Sequence, residues 1–248
     1  MFLPTTREEM DKLGWTELDI ILVSGDSYID SPYIGAAVIG HVLADAGYKV
    51  GVIGQPDATG ADIARLGAPK LFWGVTGGCI DSMVANRTAT GRPRKRDDYT
   101  PGGVNDRRPD RAAIAYTNLI KQHFKKDPRP IVLGGIEASL RRTAHYDFST
   151  NAIRRSVLFD AKADYLLYGM AERSVVELAA CMRDGKDPAD VRGLCYISKE
   201  KPDEAIEMGS YEECAADKDA FAASFKLMYD NNDPATARAL TQKHGDRY

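Results

Sequence analysis

The chain has 248 residues, 44% of them hydrophobic and 28% charged, the proportions of a globular protein long enough for one sizeable core. Its formal net charge of −3 gives no global attraction to nucleic acid or anionic membrane, and no apolar run approaches a membrane span. The N-terminus lacks a charged-then-apolar signal pattern, and Cys79, Cys181, Cys195 and Cys214 are far apart with no CxxC among them. The expected compartment is therefore the cytoplasm, with the cysteines as thiols and no locally spaced metal site.

The first apolar run, DIILVSGD at 19–26, reads as a strand ending in a Gly-Asp corner. Residues 33–46 are apolar nearly all round and stop at Gly47, which predicts a buried helix. KVGVIGQ at 49–55 and KLFWGVTGG at 70–78 are two further runs without alternation, as suits strands covered on both faces. Residues 81–108 are polar, basic and rich in Gly and Pro, too long for a routine loop. GRPRKR at 91–96 concentrates basic charge there, but Asp97, Asp98, Asp106 and Asp110 dilute it. A plain surface loop is favoured over a nucleic-acid arm.

Pro109 and Asp110 suit a first helical turn, and Ala113, Tyr116, Ile120 and Phe124 follow as a stripe at helical spacing. PIVLGGIE at 130–137 and ADYLLYGMAE at 163–172 give a fourth and fifth strand, and GLCYIS at 193–198 a sixth. Between these last two, 172–184 is helical, with Val175, Ala179 and Met182 on one face and a stop at Gly185. From 199 onward the chain turns acidic and offers two modest helices, at about 216–229 and 234–244. Strands alternating with helices imply a doubly wound, mainly parallel α/β sheet of Rossmann or flavodoxin type over 1–198, with a helical extension over 199–248.

Ligands of such sheets sit outside the carboxyl ends of the strands, so Gly25, Gly77, Gly134 and Gly169 are expected along one edge. The corners pair glycine with acid: Asp26 follows Gly25, Glu137 follows Gly134 and Gly135, and Glu172 follows Gly169. Gly77 and Gly78 make a third exit. A ligand could approach the backbone at these glycines; equally, glycine makes tight exits and the acids cap helices. Glu137 is expected to project past the exit, with Arg141 four residues on and able to pair with it, making 134–142 the main expected functional surface. Beyond it, Arg142, His145 and Asp147 in LRRTAHYDFSTNAIRRS are candidates for gripping an anion or moving a proton, against the alternative of a solvated or interdomain face. Cys79 has no base partner in sequence. GxGxxG, GxxxxGK[ST] and GxSxG are all absent, which removes simple dinucleotide, P-loop and α/β-hydrolase readings.

Taken together, LVSGDSYIDSPYIGAAVIGHVLADAGYKVGVIGQPD, LFWGVTGGCIDSMVANRTA, RKRDDYTPGG, RPDRAAIAYTN, VLGGIEASLRRTAHYD and ADYLLYGMAERSVVELA resemble the N-terminal region of YgiQ-type radical SAM proteins. The resemblance implies a cobalamin-binding-like α/β module ahead of a radical SAM barrel, an accessory to substrate or cofactor handling and not itself catalytic. The barrel would be its partner in cis. In that family the barrel's CxxxCxxC motif holds a [4Fe–4S] cluster that binds S-adenosylmethionine. The motif is absent here, so no cysteine of this chain inherits a cluster role and no cofactor is expected in this chain alone. Cobalamin modules often carry DxHxxG after the first strand; here Asp30-Ser31-Pro32-Tyr33-Ile34-Gly35 puts Pro32 where the axial histidine would stand. Binding without a protein ligand to cobalt stays open. The alternatives are a stand-alone binding domain using the Arg-rich face and, less favoured, an independent enzyme using Glu137, His145 and Asp147.

Overall fold

The computed structural model describes residues 2–57, 62–233 and 235–248. A capped first turn, α1 (Arg7–Lys12), leads into β1 (Ile20–Ser24), α2 (Gly35–Asp45), β2 (Val50–Gly54) and β3 (Phe72–Thr76). After α3 (Ser82–Asn86) and α4 (Ala112–His123) come β4 (Ile131–Gly134), α5 (Gly135–Leu140) and a hairpin of β5 (His145–Asp147) and β6 (Ala152–Arg154). Then α6 (Val157–Ala161), β7 (Tyr165–Leu167), α7 (Glu172–Asp184) and β8 (Leu194–Tyr196) complete the main body.

The main sheet has the order β2-β1-β3-β4-β7-β8, parallel throughout except for β8, which runs antiparallel beside β7. All six strands coincide with the runs read from sequence. Their side chains divide by alternation between two faces. Ile21, Val23, Trp73, Val75, Ile131 and Leu133 pack under α4 with Tyr116 and Ile120. Leu22, Val52, Phe72 and Val132 pack under α2 and α7 with Leu43, Val175 and Leu178. Both faces are buried, which is why the strands carry no polar alternation. Gly25, Gly77 and Gly169 follow the carboxyl ends of β1, β3 and β7, and Gly134 ends β4, all along one edge as expected. Winding reverses between β1 and β3, the switch point of the sheet.

Three readings need correction. The helix expected from Pro109 starts at Ala112, because Arg111 adopts a left-handed backbone (φ 51°) and the first amides are received from outside the helix. The helix expected over 234–244 begins on Pro234, outside the described residues. Its later part is β10 (Leu240–Gln242), paired in parallel with β9 (Ile206–Met208). Thr241 and Gln242 are buried, the Gln242 carboxamide bridging the Ala144 amide (2.7 Å) and the Gly209 carbonyl (2.8 Å). Between β9 and β10 lie α8 (Tyr211–Ala216) and α9 (Lys218–Asp230). The 81–108 segment is exposed only in part: 91–96 face solvent, while Asp97, Thr100 and Arg108 are buried.

Candidate functional site

At the carboxyl edge a cavity of about 360 Å³ opens between the sheet, α2 and α7. Alternation explains its shape. On this face the parallel register sets Leu22, Gly74 and Val132 side by side, and Ser24, Thr76 and Gly134 one step further on. The outer row is small and polar, so the sheet cannot fill the space beneath the helices. The inner row and Phe72 give an apolar floor, and Val38, Ile39 and Val175 give apolar walls.

The backbone at Gly134 is extended (φ −156°), and the nearest atom to an added Cβ would be the Leu167 carbonyl oxygen at 3.8 Å. Neither conformation nor neighbours demand glycine there. Gly35, the first residue of α2, also has nothing within 4 Å of an added Cβ. Two cavity-lining glycines thus leave space that protein does not occupy.

The other corner glycines do a different job. A Cβ on Gly25 would lie 2.1 Å from the Gly77 oxygen, one on Gly77 would lie 2.4 Å from Glu137 Oε2, and one on Gly78 would lie 2.3 Å from Asp26 Oδ1. These glycines let two carboxylates enter the interior. Asp26 receives Arg108 Nη2 at 2.6 Å and the Cys79 amide at 2.6 Å. The same guanidinium lies 3.0 Å from Asp97, and its side chain is wholly shielded from solvent. A buried Asp26–Arg108–Asp97 triad therefore pins the 97–108 loop to the end of β1. Cys79 lines the cavity as a thiol: burial first, and Asp26 beside it, push its pKa up to about 11.

Glu137 is 2% exposed. Its Oε2 receives the Ser82 amide (2.8 Å) and its Oε1 the Ala113 amide (3.0 Å), so one carboxylate caps α3 and α4 together. It does not project into the cleft. Nor does Arg141 pair with the Glu137 carboxylate: its guanidinium bonds the Asp81 carboxylate and the Glu137 backbone oxygen.

The Arg-rich segment is similarly self-satisfied. Arg142 donates to the Ser139 carbonyl (2.6 Å) and lies 4.6 Å over the Tyr168 ring. Asp147 receives Arg111 (2.6 Å), and Asp160 receives Arg154 (2.5 Å) and Arg155 (2.9 Å). Burial works to raise the Asp147 pKa, but Arg111 and the Ser149 amide hold it below the usual carboxylate range. His145, half-buried on β5 and bonded through Nδ1 to the Thr143 carbonyl, has its pKa lowered chiefly by burial.

Of the residues singled out in sequence, Asp26, Gly78, Gly134, Gly135 and Gly169 line the cavity, as do Pro32 and Cys79. Gly77 and Glu137 sit behind it, and Arg141, Arg142, His145 and Asp147 do not line it. Ser24, Thr76 and Glu172 stand in strand-end corners that the sequence marks but were not selected as site residues, and Val38 was missed. The signal for Glu172 was present in GMAE, an acid directly after a strand exit. Among the described residues its side chain makes no hydrogen bond or ion pair, unlike the carboxylates of Asp26, Glu137, Asp147 and Asp160. Tyr33 (90% exposed) and Met170 (89% exposed) form an apolar rim.

The model of the family described as "Radical SAM N-terminal" matches residues 2–248. The chain belongs to that family. Members of similar sequence include a UPF0313 protein of Fusobacterium nucleatum, 52% identical over 248 residues, which cover 100% of this chain and 44% of that protein. A UPF0313 protein of Thermotoga neapolitana is 53% identical over 252 residues, again 100% of this chain and 44% of that one. The radical SAM N-terminal chain therefore spans less than half the length of these curated relatives. Among solved structures it is similar to TsrM, a radical SAM methyltransferase of Kitasatospora setae, with cobalamin and a [4Fe–4S] cluster bound in that protein. The TM-score is 0.48 at 19% identity, covering 73% of this chain and 27% of that one. Among the described residues, no three His, Cys, Asp or Glu side chains converge on a metal-ion site, and no helix is long and apolar enough to cross a membrane.

Proposed function

We propose that this chain is the accessory α/β domain of a larger radical SAM protein, and that its carboxyl-edge cavity receives a small molecule for a reaction domain elsewhere in that protein. The observation that carries this reading is the cavity itself. It lies at the switch point of the sheet, apolar below and polar at its outer row, and the missing Cβ atoms of Gly134 and Gly35 leave it open.

The four cysteines do not fit a [4Fe–4S] cluster within this chain. Cys79 lines the cavity, Cys181 lies on α7, Cys195 on β8 and Cys214 is buried in α8. In this reading the cluster and S-adenosylmethionine belong to the reaction domain. Cobalamin held by an axial histidine does not fit either: Pro32 lines the cavity and, among the described residues, no histidine does. The geometry weighs against a stand-alone domain working through its Arg-rich face, because Arg141, Arg142, Arg154 and Arg155 are all engaged within the chain.

The test is a ligand-observed binding screen of small aromatic fragments against the full-length protein and its Val38→Trp form, in which the indole fills the cavity. Fragments should bind the wild type and lose that binding in the plugged form. A fragment set that does not distinguish the two proteins would remove the cavity as a binding site.

A further inference from the structure

We infer that the cavity selects a compact apolar molecule bearing a protonated amine, and that Glu172 is the carboxylate that receives the amine. This rests on the cavity being a binding site and adds the class of its ligand.

The first ground is the inventory of charge. Among the described residues the lining contains no Lys, Arg or His, and its two acids are Asp26 and Glu172. A phosphate- or carboxylate-bearing ligand would find no cation there. Asp26 is already saturated by Arg108 and the Cys79 amide, and Arg108 faces Asp97 as well, so the triad behind the cavity carries one negative charge in excess.

The second ground is that Glu172 alone is uncommitted. It is partly buried, begins α7, lines the cavity and bonds to nothing among the described residues. The next residue on the helix, Arg173, is directed to Glu177 at 2.7 Å.

The opposing term is the helix ends. α2, α7 and the short α5 all begin at the cavity without a side-chain cap, and each contributes up to roughly half a positive charge. Glu172, in the first turn of α7, offsets about two of these helix ends, and the excess charge of the triad outweighs the third, which leaves the potential negative. The uncapped amides of α2 remain as donors for a neutral acceptor on the ligand. Tyr33, the aromatic ring of the rim, has a π face that attracts cations and not anions.

The floor sets the other half of the selectivity. Leu22, Phe72, Val132 and Val175 accept a ring or branched chain and offer it no polar partner, so the amine stays at the mouth where Glu172 lies.

The experiment measures binding of three probes with one ring and different charge to the full-length protein: tryptamine, indole and indole-3-propionate, at about pH 7 where the amine is protonated and the acid ionised. The proteins are wild type, Glu172→Gln and Val38→Trp. The expected order in the wild type is tryptamine, then indole, then the propionate, with roughly a tenfold span between cation and anion from one partly exposed carboxylate. Glu172→Gln, which is isosteric and breaks no bond in the fold, should bring that span to within about twofold while leaving indole unchanged. Equal binding of the three probes to wild type, or tightest binding of the propionate, overturns the assignment of ligand class while the cavity stands as a site. Binding that survives Val38→Trp, or no binding by any probe, overturns the cavity reading and this inference with it.

Discussion

Replacing Glu137 by alanine deletes the acceptor for two buried amides, those of Ser82 and Ala113, at the starts of α3 and α4. Each amide left without a partner costs about 1–3 kcal/mol, so the pair costs about 2–6 kcal/mol, before any term for the space left behind. A domain of ordinary stability has only about 5–15 kcal/mol in total, so the variant should be severely destabilised. Glu137→Gln separates charge from shape. Its carbonyl oxygen can still receive one amide, but its NH2 must then face the other, donor against donor. The loss should be smaller than for alanine, at about 2–3 kcal/mol. Urea unfolding followed by circular dichroism measures both, and the midpoint should fall with an unchanged slope if the native state is otherwise intact. Two variants within about 0.5 kcal/mol of wild type would refute the claim that this carboxylate holds the two helices.

Further outcomes follow from other contacts. Arg108→Ala leaves Asp26 and Asp97 buried and uncompensated and should cost about 3–5 kcal/mol in chemical denaturation, a loss that lysine, a point charge without a fork, should not restore in full. Gly77→Ala drives a Cβ to 2.4 Å from Glu137 Oε2 and should destabilise, whereas Gly134→Ala meets only an atom at 3.8 Å and should leave the melting temperature unchanged or raised. His244 packs between Phe159, tilted against it, and Tyr211, stacked on it, and burial lowers its pKa to about 4. The unfolded chain binds its proton near pH 6.5, roughly, so stability should be full above that value and fall as pH drops toward about 4. His244→Phe should flatten the part of that slope due to this residue, leaving the slope from His145, also lowered by burial. Finally, the purified chain supplied anaerobically with iron and sulfide should take up no stoichiometric cluster; charge-transfer absorption lost on mutating any of the four cysteines would contradict this.

The fold was legible because its strands are covered on both faces. Unalternating runs such as DIILVSGD and PIVLGGIE have few other stable placements, and glycine after each run marks the exit. What misled was local pattern without tertiary context. Residues 234–244 carry helix-compatible spacing. Yet in the fold Gln242 bridges Ala144 and Gly209, two residues far from it in sequence, and that pairing draws the segment into a strand. The start of α4 shifted for a related reason. Its amides are received by Ser82 and Glu137 from elsewhere in the chain, so Pro109 and Asp110 are not needed to open it.

The site was legible as an edge and not as a set of side chains, because glycine and acid recur at every corner with opposite meanings. Gly77 is small so that Glu137 can lie behind it, and Gly134 is small with nothing behind it; only the third dimension tells one from the other. The same holds for the acids. Glu137 and Asp26 stand at the strand exits and read as ligand groups, but both are turned inward and saturated, one by two helix amides, the other by Arg108 and the Cys79 amide. Arg108 carried no mark of burial in RRPDR. Glu172 read as one corner acid among several and is the carboxylate left without a partner at the cavity. A corner acid is therefore a candidate for ligand recognition only after its neighbours have been shown not to need it. At this edge that criterion removes Asp26 and Glu137 and leaves Glu172.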